Sequence, residues 1–172
     1  MNLFSTIRGD LKQKAKWVYE SDRPAAVFKV LLSDGTTAMI LYRLMQASRR
    51  WRLWPLEMFF NKLNTVFCAC IIGRGAEFGP DLVLIHSNGI VINGEVCGGA
   101  RVHIEHQVTI GANRRQSPTL GDDVFLGAGC KLIGPITIGN GAKIGANAVV
   151  THDVPAGETA VGVPARVLSR GS

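Results

Sequence analysis

The sequence lacks the features of a membrane-spanning or secreted protein. Its apolar runs stay short of the roughly 20 residues that cross a bilayer, because charged residues such as Lys29, Arg43 and Lys62 interrupt them. The segment 1–14 carries charged and polar residues where a secretion signal would have an apolar core. We therefore expect a cytoplasmic protein.

Cysteine is scarce and poorly arranged for binding a metal. The chain has four cysteines, and the pair Cys68 and Cys70 lacks the second pair that a structural zinc site needs. Without a secretion signal, the thiols are expected to stay reduced. We expect no metal cofactor.

Glycine and net charge are unevenly distributed along the chain. Residues 1–66 hold 2 of the 20 glycines and 11 basic against 5 acidic side chains, whereas residues 67–172 hold 18 glycines and 8 charges of each sign. This contrast predicts two domains, a head at 1–66 and a different body at 67–172. The basic residues lie on amphipathic segments without an RNA-binding or helix-turn-helix motif, which argues against a nucleic-acid partner.

The body contains a six-residue repeat. Counted from Ile72 in steps of six, thirteen of fourteen positions up to Val150 are large and apolar, and the position four residues later is mostly small. Each hexad is expected to form a short strand and a turn, and three hexads close a triangular coil of about 18 residues. The repeat predicts a mainly β fold, a left-handed parallel β-helix over residues 72–155 with a C-terminal tail at 156–172.

The repeat fails at one place. Arg114 occupies a six-step position within the polar segment 112–118, which cannot fill an apolar core. We expect an exposed loop there, and loops on rigid scaffolds often carry function. Residues 1–66 instead show apolar faces, with Pro24 and Pro55 as helix start signals, and predict an α-helical N-terminal domain.

Four segments of the body carry a specific resemblance. They are LIHSNGIVI (84–92), HQVTIGA (106–112), LGAGCKLIGPITIGNGAKIGANAVV (126–150) and GVPAR (162–166). On these motifs, residues 69–168 resemble the catalytic domain of the serine acetyltransferase family of hexapeptide acyltransferases. The head is similar to a shortened N-terminal domain of that family. The resemblance implies an O-acetyltransferase that uses acetyl-CoA.

The resemblance also implies roles for individual residues. His86 matches the family's general base, and an imidazole that titrates near about pH 6.5 can take the proton of an alcohol that attacks the thioester. Backbone N–H groups of the glycine-rich turns could stabilise the resulting oxyanion. The implied CoA contacts are the amides near Gly111, Ala128 and Ala146, with Lys143 and Arg166 as phosphate partners.

Four positions depart from the family pattern. Ile71 and Ile85 replace two acidic residues, one that orients the base and one that serves the serine substrate. Gln116 and Ser117 replace the Arg and His that hold the serine carboxylate. A zwitterionic amino acid needs paired opposite charges. We therefore expect the acceptor to be a sugar hydroxyl of a polysaccharide or its precursor, as in colanic-acid and other exopolysaccharide O-acetyltransferases, with Gln116 and Ser117 lining its site.

Further polar residues accompany His86. One coil later come His103 and His106 on the same side of the prism, and His106 stands just before a VTIG segment, as in the exopolysaccharide enzymes. We expect His106 to take part in catalysis, and His103 and Asn88 to bind substrate. A hydrogen-bonded core histidine remains the alternative for His106.

Three other functions stay open. The first is a genuine serine O-acetyltransferase of cysteine biosynthesis. The loss of the acid at Ile71 permits a second, an inactive hexapeptide scaffold. The third is a zinc lyase of the γ-carbonic-anhydrase type, although the histidine spacings of 17 and 3 residues differ from that family's.

The expected partners follow from the resemblance and from the head. Members of the family form homotrimers with active sites between neighbouring subunits, so we expect a homotrimer. Arg49, Arg50 and Arg52 beside Trp51 and Trp54 resemble an interfacial anchor, which predicts a peripheral contact with the inner face of the membrane. A solvated helix end is the alternative.

Overall fold

Four helices form the head. The computed structural model describes residues 2–114 and 116–168. The first helix, α1, begins after Asn2, whose side-chain oxygen accepts a hydrogen bond from the Phe4 amide at 3.2 Å. Prolines stand in the first turns of the second and fourth helices, as the sequence predicts. The helices are α1 (Leu3–Tyr19), α2 (Pro24–Leu31), α3 (Thr36–Arg50) and α4 (Trp54–Cys68).

Short strands form the body, which begins slightly later than the predicted boundary at residue 66 because α4 continues to Cys68. The strands are β1 (Ile71–Ile72), β2 (Glu77–Phe78), β3 (Val83–Leu84), β4 (Val91–Ile92), β5 (Cys97–Gly98), β6 (His103–Ile104), β7 (Thr109–Gly111), β8 (Thr119–Leu120), β9 (Phe125–Leu126), β10 (Lys131–Ile133), β11 (Thr137–Ile138), β12 (Lys143–Ile144), β13 (Val149–Val150), β14 (Thr159–Val161) and β15 (Arg166–Val167).

The strands stack into three parallel sheets, one for each side of a prism. Sheet A has the order β1-β4-β7-β10-β13, sheet B the order β2-β5-β8-β11, and sheet C the order β3-β6-β9-β12-β14-β15, in which only β15 is antiparallel to its neighbour. Aliphatic side chains such as Ile92, Ile110 and Leu132 fill the interior and are almost fully buried. The predicted β-helix with a helical head is confirmed.

The predicted tail joins the prism in part, whereas the predicted loop leaves it. The predicted tail, 156–172, first adds β14 and β15 to sheet C, and its last residues, 169–172, lie outside the described part of the chain. The segment 112–118 leaves the prism between β7 and β8, and Asn113 pairs there with Gln116 in an isolated antiparallel bridge. Arg115 also lies outside the described residues.

The register of the first coil differs from a plain count of hexads. Ile72 pairs with Ile92 rather than with Ile90, so this coil is longer than three hexads. The additional residues lie between β3 and β4, where the IHSNG motif stands. The counted positions Ile90, Val96 and Val102 are therefore corner residues. They are fully buried all the same, which is why the count did not reveal the shift.

The head covers the open end of the prism. Strands of the first coil have no preceding coil to hydrogen-bond with, so their outward backbone groups need other partners. Side chains from α1, α3 and α4 supply them. The hydrogen bonds run from Asn61 to the Ile72 carbonyl (2.8 Å), from Tyr42 to Ala76 (3.0 Å), from Arg43 to Phe78 (2.9 Å) and from Lys14 to Leu84 (2.7 Å).

A buried ion pair lies at the centre of this contact. The Arg43 guanidinium donates to both carboxylate oxygens of Asp10, at 2.7 and 3.1 Å, and to the Gly79 carbonyl at 2.6 Å. Asp10 also accepts a hydrogen bond from the Leu82 amide at 3.0 Å. Burial raises the pKa of Asp10, and the charge and hydrogen bonds of Arg43 oppose that rise. The pair thus joins α1 and α3 to the first coil.

Candidate active site

One corner of the prism carries most of the predicted site. At this corner the chain passes from sheet C to sheet A, and backbone hydrogen bonds stack the successive turns. The Gln107 amide donates to the Asn88 carbonyl at 2.8 Å, and the Asn147 amide to the Ala128 carbonyl at 2.8 Å. The turn that contains His86 therefore stands in line with those of the following coils.

His86 projects from the first turn of this corner. Its side chain is half exposed (50%), and its Nδ1 lies 3.4 Å from Oδ2 of Asp34, in the turn between α2 and α3. The following residue, Ser87, donates through its hydroxyl to the Cys68 carbonyl at 3.2 Å. His86 thus has a nearby acid and a side open to solvent, the arrangement of a general base.

Asp34 is the functional candidate that sequence reasoning missed. Its only local signal is a turn pair with Gly35, and nothing in the hexad pattern connects it with His86. The family pattern has its orienting acid at the position of Ile71, whose side chain is exposed and apolar. The head supplies a carboxylate where the prism has none.

His106 lies in the next turn of the corner. Its ring centroid is 5.9 Å from that of His86, with the planes nearly perpendicular, and its Nδ1 is 3.4 Å from Oε2 of Glu105. The side chain is 44% exposed, so it is not packed in the core. The structure brings the two predicted histidines together, and their catalytic roles stay predictions.

His103 does not join them, which corrects its sequence-based assignment. It lies on β6 beneath α1, and its ring centroid is 4.6 Å from that of Trp17. Burial lowers its pKa, and Nε2 has no hydrogen-bond partner in the described part of the chain. A covered imidazole cannot meet a substrate, so the proposed site does not include His103.

The other predicted substrate residues are divided between two corners. Asn88 is exposed in the turn that carries His86. Gln116 and Ser117 lie in the loop at the next corner, between sheets A and B, where the Ser117 hydroxyl donates to Asn93 at 3.0 Å. Sheet A separates them from His86 within one chain.

The predicted CoA contacts follow the corner away from His86. Ala128 and Ala146 stand in its later turns, and Gly111 ends β7 on the adjoining side of sheet A. Lys143 and Arg166 are exposed on β12 and β15 of sheet C. Two cations and a row of small residues therefore lie beyond the histidines, which suits an extended, phosphorylated ligand.

A pocket adjoins the acid of the site. It has a volume of about 370 Å³ and lies between the α2–α3 turn, the end of α4 and the turn of His86. Its lining includes Leu31, Ser33, Asp34, Phe67 and Ser87.

Among residues 2–114 and 116–168, no three His, Cys, Asp or Glu side chains are grouped so as to hold a metal ion.

Comparisons with known proteins identify the family to which the chain is similar. The family model "Bacterial transferase hexapeptide (six repeats)" matches residues 117–152. The "Serine acetyltransferase" of Helicobacter pylori (strain ATCC 700392 / 26695) is 37% identical over 168 residues, which cover 94% of this chain and 98% of the relative.

Two solved structures are similar over almost the whole chain. The crystal structure of the Neisseria gonorrhoeae serine acetyltransferase (CysE) matches with a TM-score of 0.85 and 30% identity, covering 99% of this chain and 66% of that one. A serine acetyltransferase in complex with CoA matches with a TM-score of 0.82 and 29% identity, covering 95% and 70%.

These relatives confirm the resemblance at the level of the family and its acyltransferase activity. They lend no support to the narrower assignment to exopolysaccharide O-acetyltransferases, because their names are serine acetyltransferase. The identity to the Helicobacter protein extends over nearly all of both chains and includes the head. The chain therefore belongs to the serine acetyltransferase family, and it is an acyltransferase.

Proposed function

We propose that the chain transfers an acetyl group from acetyl-CoA to the hydroxyl of L-serine, with His86 as the general base. The observation that carries the proposal is the position of His86. It is half exposed, has a carboxylate 3.4 Å from Nδ1, and begins the corner along which the predicted CoA contacts lie. The names of the full-length relatives support serine as the acceptor.

Each step of the proposed reaction has a residue to perform it. Neutral His86 takes the proton of the acceptor hydroxyl as the oxygen attacks the thioester carbonyl. Backbone N–H groups of the glycine-rich turns stabilise the oxyanion. Collapse breaks the carbon–sulfur bond, and the imidazolium of His86 returns its proton to the departing CoA thiolate. The products are the acetyl ester and free CoA.

The missing charges at four family positions favour a second acceptor class, the sugar hydroxyls. Ile71 and Ile85 are apolar where the family has acids, and the loop residues Gln116 and Ser117 are neutral where it has Arg and His. No guanidinium at these positions meets the serine carboxylate. A sugar hydroxyl, which needs no charged partners, fits such a site.

An acceptor screen separates the two classes. Purified protein is incubated with acetyl-CoA, and released thiol is measured with L-serine, D-serine and a panel of nucleotide sugars and oligosaccharides. We expect saturable thiol release with L-serine and background rates with D-serine. Saturation by a sugar, with L-serine at background, would transfer the assignment to the second class.

We further propose that the protein is a homotrimer. The apolar side chains of Val66, Phe67, Ile71 and Val91 are exposed in one chain, at the end of α4 and on the outer face of sheet A. Contiguous exposed apolar surface of this kind is typical of subunit contacts. Sedimentation velocity gives the mass directly, and a monomer at micromolar concentration would contradict the proposal.

The connection between α3 and α4 supports a contact with an anionic membrane surface. Apolar residues in this connection and in the first turns of α4 are each between 43% and 65% exposed, namely Trp51, Leu53, Trp54, Leu56 and Phe59. Arg49, Arg50 and Arg52 stand among them. Exposed tryptophans with guanidinium groups suit the interface between headgroups and acyl chains.

No single helix in the described ranges is long and apolar enough to span a bilayer, although α2 and α3, bent by 87°, reach the length together.

Vesicle flotation tests this contact. Each arginine near an anionic surface contributes about 1 kcal/mol, so the double variant Arg50→Gln/Arg52→Gln should bind vesicles containing phosphatidylserine about 30-fold more weakly. Neutral phosphatidylcholine vesicles and Lys131→Gln, a change on the prism, serve as controls. Unchanged binding after neutralisation of the arginines would remove the proposal.

A further inference from the structure

We propose that the helical head completes the catalytic site, with Asp34 orienting His86 and Lys14 acting as the positioning residue that holds Asp34 beside it. The inference rests on the proposed role of His86 as general base. Neither residue belongs to the hexad repeat, and Ile71 stands where the family's orienting acid would be.

The contact fixes which nitrogen of His86 faces the acceptor. Oδ2 of Asp34 lies 3.4 Å from Nδ1. A carboxylate on that side favours the tautomer with the proton on Nδ1, which leaves the lone pair of Nε2 free to accept a proton from the substrate hydroxyl. The same carboxylate stabilises the imidazolium that forms during attack.

The contact between Asp34 and His86 is too exposed to hold its own geometry. The Asp34 side chain is 83% exposed and that of His86 50%. Exposed pairs of this kind contribute little to stability, because water screens them and both side chains lose freedom. The position of Asp34 must therefore be set by its backbone.

Gly35 allows that backbone to approach the strand that leads to His86. Its φ of +73° lies in the left-handed region, and a Cβ at this position would stand 2.4 Å from the Leu84 carbonyl oxygen. The turn between α2 and α3 thus lies directly on the end of β3. His86 follows that end by two residues.

Lys14 connects the two backbones. Its side chain is fully buried, and its ammonium donates to the carbonyl of Asp34 and, at 2.7 Å, to the carbonyl of Leu84. Burial lowers the pKa of Lys14 to about 8, and the charge of Asp34 opposes that shift. One ammonium from α1 therefore holds both the residue that carries the acid and the strand that carries the base.

The first experiment replaces Asp34 by asparagine, an exposed change that leaves the fold intact. We expect kcat to fall by about 10- to 100-fold, with an unchanged KM for acetyl-CoA. Asp123→Asn, which alters an exposed carboxylate at another corner, should leave both unchanged.

The second experiment replaces Lys14 by methionine. We expect kcat to fall as in Asp34→Asn, again with an unchanged KM for acetyl-CoA, because the Asp34 turn is no longer held on β3. A loss of stability with an unchanged kcat would show that Lys14 is structural only, and would overturn its positioning role. Should this variant fail to fold, the milder Lys14→Arg, which keeps the charge but displaces the donor, provides the same comparison.

A readout without turnover separates this inference from the proposed function. The ¹⁵N shifts of His86 report its tautomer in the free protein. We expect Nδ1 protonation in the wild type and a mixture of tautomers in Asp34→Asn. The same tautomer distribution in the wild type and in Asp34→Asn would overturn the role of Asp34 even if His86 is the base. Full activity of His86→Ala would instead refute the proposed function itself.

Discussion

Replacing His86 by alanine is expected to lower kcat for acetyl transfer by a factor of about 10² to 10⁴, the usual contribution of a positioned general base. The loss should fall on kcat, because the predicted CoA contacts lie on later turns and on β12 and β15, away from the imidazole. The measurement is thiol release from acetyl-CoA at saturating acceptor. The KM for acetyl-CoA should change little.

A second histidine provides the control for this experiment. His152 is exposed and its Nδ1 lies 3.1 Å from the Thr151 hydroxyl, beyond the end of β13. Its replacement by alanine should leave the rate unchanged. Equal rates for wild type and His86→Ala would contradict the catalytic assignment. Absence of transfer by the wild type to any hydroxyl acceptor would favour the inactive scaffold.

Replacing Arg43 by methionine is expected to lower the free energy of unfolding by about 3–5 kcal/mol. The variant leaves the buried Asp10 carboxylate without its bidentate partner, and it also removes the donor to the Phe78 and Gly79 carbonyls. Asp10 must then stay charged without compensation or take up a proton. Urea unfolding followed by circular dichroism gives the change.

Two further variants show whether the buried charge causes the loss. In Asp10→Leu/Arg43→Met neither charge remains, so this double variant should be less destabilised than the sum of its single changes. Arg101→Met breaks an exposed pair with Asp123 and should have little effect. A cost for Arg43→Met no larger than that of Arg101→Met would contradict the proposed role of the pair.

The repeat made the prism predictable, because each hexad obeys the same local geometry. Ile72, Leu126 and Ile144 are inward residues that a count along the sequence can identify. The count of hexads lost its register at the additional residues before Ile92. The sequence did not reveal this shift, because residues at the corners are buried as well as those on the strands. Loop 112–118 was predictable for the opposite reason, because its polar residues break the pattern.

The site was less predictable, because its decisive contacts are made between the head and the prism. His86 and His106 lie within motifs of the repeat, and the stacking of coils brings them together. The approach of Asp34 to His86 and the cover of Trp17 over His103 depend on how α1 and the α2–α3 turn dock. No local spacing encodes that docking.

The covered first coil also gives folding a place to begin. A solenoid gains stability from contacts between neighbouring coils, so a first coil alone has only one side on which to form them. Here the donors of Lys14, Tyr42, Arg43 and Asn61 supply the other side. We expect the head and first coil to act as the nucleus, from which later coils add one by one toward the C-terminus, in the order in which the ribosome releases them.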